Sequence, residues 1–185
     1  MPITFSLTQE EQRYLLDIAK NAISQRLGIP GQTIPARPQS QTLGRNLGSF
    51  VTLTRNGNLR GCIGTIVGRE PLEQNVVRMA VAAAFDDYRF HPLTAQEWGS
   101  CDVHISVLDE LTRCPDPGLI EVGKHGLVLQ LGGRSGVFLP QVPVEQGWDR
   151  LMYLEQLCNK AGLPPGSWKA PGAEIFWYEA FVFPA

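Results

Sequence analysis

The stretch Phe50-Val51-Thr52-Leu53-Thr54-Arg55-Asn56-Gly57-Asn58-Leu59-Arg60-Gly61-Cys62-Ile63-Gly64-Thr65 decides the fold class. Residues 50–55 are β-prone, and residues 58–65 resume the same character after a break. Asn56-Gly57 supplies that break with the two residue types that accept positive φ at both centres of a type I′ turn, whose twist matches paired strands. The spacing predicts an antiparallel hairpin.

Working outward, Thr8 and Glu11 make a capping box, and Tyr14, Leu15, Ile18, Ala19, Ala22, Ile23 and Leu27 then recur at helical spacing until Gly28 and Pro30 end the run. Residues 28–48, punctuated by glycine and proline, read as a long irregular connection, either functional or simply wrapped over the surface. After the hairpin, Glu70-Pro71 opens a helix with Leu72, Val76, Met79, Ala80, Ala83 and Ala84 on its apolar face. A polar and aromatic loop follows, Asp86-Asp87-Tyr88-Arg89-Phe90-His91-Pro92, and Thr94 with Glu97 makes a second capping box. Val103, Ile105 and Val107 pattern as one strand, and Leu127, Leu129 and Leu131 as another that turns through Gly132-Gly133 and Gly136 into residues 137–139. Asp149 leads into a helix carrying Leu151, Leu154, Leu157 and Cys158, with Gly162 beyond its end. A final strand from Ile175 to Phe183 is expected to be buried on both faces. Helices and hairpins mix without a βαβ rhythm, so the expected fold is α+β, a largely antiparallel sheet with flanking helices.

At 185 residues, with 43% hydrophobic and 18% charged residues, the chain suits one domain, or one core with a smaller lobe. A formal net charge of -2, with no basic run, makes nucleic acid a poor partner. No apolar run approaches the roughly 20 residues of a membrane span, and no secretory signal pattern is visible. Cys62, Cys101, Cys114 and Cys158 form no Cys-x-x-Cys pair and are expected to be reduced thiols in a cytoplasmic protein. No metal site is expected, because Cys101 and His104 fall on opposite faces of a strand and closed zinc sites need four convergent ligands.

Strand alternation puts Leu59, Gly61 and Ile63 on one face of the second arm, taken as the core, and Arg60, Cys62 and Gly64 on the other. Arg60 and Cys62 would then stand about 7 Å apart. A guanidinium offers a bidentate grip on a carboxylate or phosphate, and would favour the thiolate of Cys62. The glycines would leave a shallow floor between them. Against this stands the base rate, by which a lone strand cysteine is more often a small buried hydrophobe than a nucleophile. His125 could act as general base toward Cys62, or could fix a turn through a ring nitrogen bonded to backbone. Asp87, Arg89 and Glu97 are expected to join Arg60, Cys62 and His125 near one concave surface, with Asp87 or Glu97 paired to Arg60 or Arg89, since unpaired buried charges are costly.

Leu59-Arg60-Gly61-Cys62-Ile63-Gly64-Thr65 resembles the signature hexapeptide, plus a threonine, of the AMMECR family. Asp87-Tyr88-Arg89-Phe90 with Pro92 and Glu97, Ile105-Ser106-Val107-Leu108, Val122-Gly123-Lys124-His125-Gly126-Leu127, Phe138-Leu139-Pro140-Gln141-Val142, Gln146-Gly147-Trp148-Asp149 and Leu157-Cys158-Asn159-Lys160-Ala161-Gly162-Leu163 are similar to further family blocks, in family order, so that the resemblance is strongest over 45–183 of one unit spanning 1–185. It implies two unequal lobes with a cleft and the hexapeptide in or near it. It also implies likeness to protein A of the bacterial AmmeMemoRadiSam system, whose other members are a Memo-like protein and a radical S-adenosylmethionine enzyme. The chain has no Cys-x3-Cys-x2-Cys cluster, so it is not itself the radical enzyme, and it shows no evident facial triad for iron. No cofactor is implied, and the oligomeric state stays open. Two functions remain. One is an accessory or ligand-binding protein that takes a small anionic metabolite or a partner protein at residues 59–64, with Arg60, Gly61, Gly64, Asp87 and Arg89 in contact. The other is an enzyme acting on a small anionic or carbonyl substrate, with Cys62 as nucleophile or acid, Arg60 as anion clamp, and His125, Glu97 or Asp87 moving the proton.

Overall fold

A computed structural model describes residues 4–184. The chain divides into two compact units, one of residues 4–108 with 181–184 and one of residues 109–180.

In the first unit, α1 (Gln9–Arg26) starts on the expected capping box, the Thr8 hydroxyl accepting from Glu11 N–H and the Glu11 carboxylate accepting from Thr8 N–H. Strands β1 (Gly48–Arg55) and β2 (Asn58–Thr65) form the expected antiparallel hairpin. Asn56 and Gly57 both have positive φ (53° and 76°), as the turn requires. Beyond it come α2 (Leu72–Phe85), the single-turn α3 (Ala95–Trp98) on its own capping box, and β3 (Cys101–Leu108), antiparallel to β1 on its other side. One face of this sheet carries Val51, Leu53, Val103, Ile105 and Val107, all fully buried with Leu15, Ile23, Val76 and Ala80 of the two long helices. Asn75 ties α2 to the sheet, its amide donating to Leu47 carbonyl and to the Thr65 hydroxyl.

The second unit holds β4 (Thr112–Arg113), β5 (His125–Leu131), β6 (Arg134–Phe138), the short α4 (Gln141–Glu145), α5 (Arg150–Lys160) and β7 (Glu174–Pro184), whose last residues return to the first unit. Strand β5 pairs antiparallel with β6 through the Gly132-Gly133 turn and with β7 on its other side. Leu127, Leu129 and Ile175 close a core with Tyr153, Leu154 and Leu157 of α5, which Asp149 caps through Met152 N–H. Burial along β7 is mixed rather than two-sided, and Val182 is half exposed. The α4 turn went unread in the sequence because Pro143 sits inside it. All four cysteines are free thiols.

Gly61 sets how closely α2 approaches the hairpin. A Cβ there would stand 2.1 Å from Ala83 carbonyl oxygen, a backbone atom that cannot step aside. Gly61→Ala should therefore cost about 3 kcal/mol, as overpacking in a close-packed core does. Gly57→Ala meets open space and only strains φ, for about 1 kcal/mol. Urea unfolding of the two variants should separate them by a factor of two or more in ΔΔG.

Candidate functional site

Strict alternation along β2 fails at one residue. Leu53 pairs with Gly61 and Thr54 with Leu59, so Arg60 is the extra residue of a β-bulge. Two expectations change as a result. Leu59 lies not in the core but half exposed, at 45%. Arg60 does not share a face with Cys62; it is buried and turns toward α3 and the loop before it.

There Arg60 grips Glu97 with two nitrogens, Nε to Oε1 at 3.1 Å and Nη2 to Oε2 at 3.2 Å. Nη2 also donates to His91 carbonyl at 3.0 Å and faces His91 Nδ1 at 3.1 Å. Its Nη1 has no partner among the described residues. Glu97 is the carboxylate of the α3 capping box too, accepting from Thr94 N–H at 3.1 Å and from the Thr94 hydroxyl at 2.9 Å. Arg55 adds a third contact to the same group at 3.3 Å. One carboxylate thus ties the end of β1 and the start of β2 to the first turn of α3.

A second clasp lies beside it. The buried Asp87 carboxylate accepts from Cys62 N–H at 2.9 Å and from Arg89 Nε and Nη2 at 2.9 and 2.7 Å. Arg89 also reaches toward Cys62 carbonyl at 3.4 Å. The Phe90 ring lies under both guanidiniums, 5.7 Å from Arg60 and 5.5 Å from Arg89. The ion pairs expected from the sequence are present, as Arg60–Glu97 and Arg89–Asp87.

The bonds from Arg60 and Arg89 hold Glu97 and Asp87 at a pKa of about 2, against ordinary values of 4.5 and 3.8. Both are carboxylates throughout the neutral range. Cys62 moves the other way: burial raises its pKa above 9.0, against the opposing pull of the Thr52 hydroxyl, which donates to Sγ at 3.1 Å, and of Arg89. The glycines do not open a floor. The space over Gly61 belongs to α2, and a Cβ on Gly64 would meet the Phe50 ring at 2.2 Å.

Sequence reasoning passed over Thr52 and weighed His104 only as a metal ligand. Thr52 stands opposite Cys62 on one side and His104 on the other, and His104 Nε2 lies 3.4 Å from the Thr54 hydroxyl. Cys62, Thr52 and His104 therefore run abreast on the sheet face away from the core. The signal was available, since Thr52 and Thr54 alternate with the apolar Val51 and Leu53.

His125 lies in the second unit and takes the turn role. Its Nδ1 accepts from Glu121 N–H at 3.0 Å, its ring rests 4.5 Å from that of Trp177, and it is buried. With Nδ1 filled by a donor, the neutral ring carries its proton on Nε2, so it has no free lone pair with which to act as a base.

A family model for AMMECR1 matches residues 16–183. The chain belongs to the AMMECR1 family. It is 40% identical to protein MK0488 of Methanopyrus kandleri, over 96% of this chain and 89% of that one. It is 36% identical to protein TK0174 of Thermococcus kodakarensis, over 97% and 92% respectively. The crystal structure of protein PH0010 from Pyrococcus horikoshii, 34% identical, superposes with a TM-score of 0.86 over 97% of this chain and 94% of that one. The fold is thus that of an AMMECR1-family protein along nearly its whole length. No helix among the described residues is long and apolar enough to cross a membrane, and no group of three metal-ligating side chains occurs among them.

Two titrations should follow from these environments. The depressed carboxylates contribute stability that is complete above about pH 4.5 and lost as pH falls toward 2. Burial lowers the His125 pKa below 6.5, so its share is complete above 6.5 and lost as pH falls through the depressed value. Melting temperature measured from pH 7 to 2 should decline in both windows. Glu97→Gln should flatten the lower one and, by stranding buried Arg60, cost about 3 kcal/mol at pH 7.

Proposed function

We propose that this AMMECR1-family chain is a non-catalytic accessory protein of the cytoplasm, of the AmmeMemoRadiSam type, and that it docks a partner protein over the hexapeptide hairpin and the loop clasped to it. The observation that carries this reading is the closure of both arginines on carboxylates of the same chain. A small anionic metabolite would find both guanidinium charges already neutralised by carboxylates, whereas a protein surface need only cover them. Outward the cluster presents Tyr88, 93% exposed, with half-exposed Leu59 and the outer edge of Arg89. Tyrosine and arginine are residue types that anchor protein interfaces. The partners implied by the family resemblance are a Memo-like protein and a radical S-adenosylmethionine enzyme.

Titration calorimetry against each of those two proteins tests the proposal. Tyr88→Ala should weaken binding about tenfold or more, on the scale of an interface anchor, while Cys62→Ser leaves it unchanged. Binding that survives Tyr88→Ala and Leu59→Ser, or fails with both partners, would overturn it.

The Thr52 hydroxyl on a half-buried Cys62 sulfur favours a second reading, a cysteine-dependent enzyme. The pH dependence of iodoacetamide alkylation decides between them. An accessory protein should show Cys62 alkylation still climbing at pH 9 without reaching a plateau, following its raised pKa. An alkylation rate already at its plateau by neutral pH would mark an activated thiolate.

A further inference from the structure

We infer that the groove between α1 and α2 is a binding site for an uncharged, largely apolar small molecule. The groove encloses about 800 Å3, the scale of a site for a drug-sized ligand. Ile18 and Ala22 line it from α1, and Val77, Val81 and Ala82 from α2. It is separate from the hexapeptide clasp, and no residue of the clasp lines it.

The connection after α1 limits what can enter. Ile29 N–H donates to Ser24 carbonyl at 3.1 Å, and Gly31 lies so close on Asn21 that a Cβ would stand 1.8 Å from the Asn21 side-chain oxygen. These contacts fasten the segment to α1. Six residues on, Arg37 Nε bonds both carboxylate oxygens of Glu73 on α2, at 3.0 and 2.8 Å. Between the two fastenings Ile34 turns its side chain to the groove. A strap pinned to both helices leaves room beneath for a small molecule and keeps off a partner helix, which would need about 10 Å of clear width.

Charge narrows the ligand class. Glu73 is held by Arg37 and by the Tyr14 hydroxyl, and Arg78 closes on Glu70 at 2.7 Å. The cations at the mouth are thus already neutralised, and Asp86 adds a negative charge at the far end. An anion such as a fatty acid finds no unpaired counter-ion among the described residues of the groove. Asn21, Gln25 and Gln74 offer amides to a neutral polar group on an apolar body.

The test uses the whole chain with Nile red, an uncharged apolar dye, and 1-anilinonaphthalene-8-sulfonate as its anionic counterpart. Nile red should bind saturably with one site per chain, at least tenfold tighter than the sulfonate. Hydrogen exchange on the wild-type protein at saturating dye should show added protection in residues 14–25 and 73–86. Ala82→Arg, or Ala22→Arg should the first fail to melt cooperatively, should weaken Nile red at least tenfold. The inference is overturned if the dye protects other segments or none, if the sulfonate binds as tightly, or if a folded arginine variant binds like wild type. It is overturned equally if sedimentation velocity shows a reversible dimer that dye dissociates, which would make the groove a contact between two copies.

Discussion

A guanidinium removed from water is tolerable only where its charge is met, and in the first unit that condition falls on Arg60 and Glu97. Glu97 is in position because Thr94 caps α3 through the same carboxylate. Arg60 is in position because a bulge turns it away from the face that Cys62 keeps. The end of the hairpin, the loop from Asp87 to Pro92 and the first turn of α3 therefore hold one another, and losing either partner leaves a buried charge unmatched. The Asp87 clasp repeats the logic one step along, fixing the main chain of Cys62 rather than a side chain.

What could be read from the sequence was whatever depends on neighbours along the chain. The Asn56-Gly57 turn, the two capping boxes and the paired strands around Gly132-Gly133 are local chemistry, and each stands where the residues put it. The bulge at Arg60 is not local. Period-two alternation predicts Leu59 inward and Arg60 outward, and it loses because a carboxylate some 37 residues later in the chain draws Arg60 in. The glycines show the same limit from the other side. Their presence at 61 and 64 announced a close approach but not its identity, and both approaches are made by this chain, through Ala83 and Phe50. That Thr52 stands between Cys62 and His104 follows only once β1 lies between β2 and β3.

The same accounting separates the residues that look catalytic from those able to exchange a proton. Asp87 and Glu97 are drawn down to about 2 by the cations they hold, so neither returns a proton near neutrality. His125 has spent the lone pair of Nδ1 on a backbone N–H. Cys62 is drawn up, by burial, toward the thiol. A general acid–base pair needs its pKa values displaced toward the working pH, and here each displacement runs away from it. These are the shifts that structural clasps produce, in which each charge is fixed so that it does not change. Such a cluster suits a rigid frame on which exposed side chains are carried, and that is the physical reason for proposing the exposed Tyr88 and Leu59, rather than Cys62, as the docking residues.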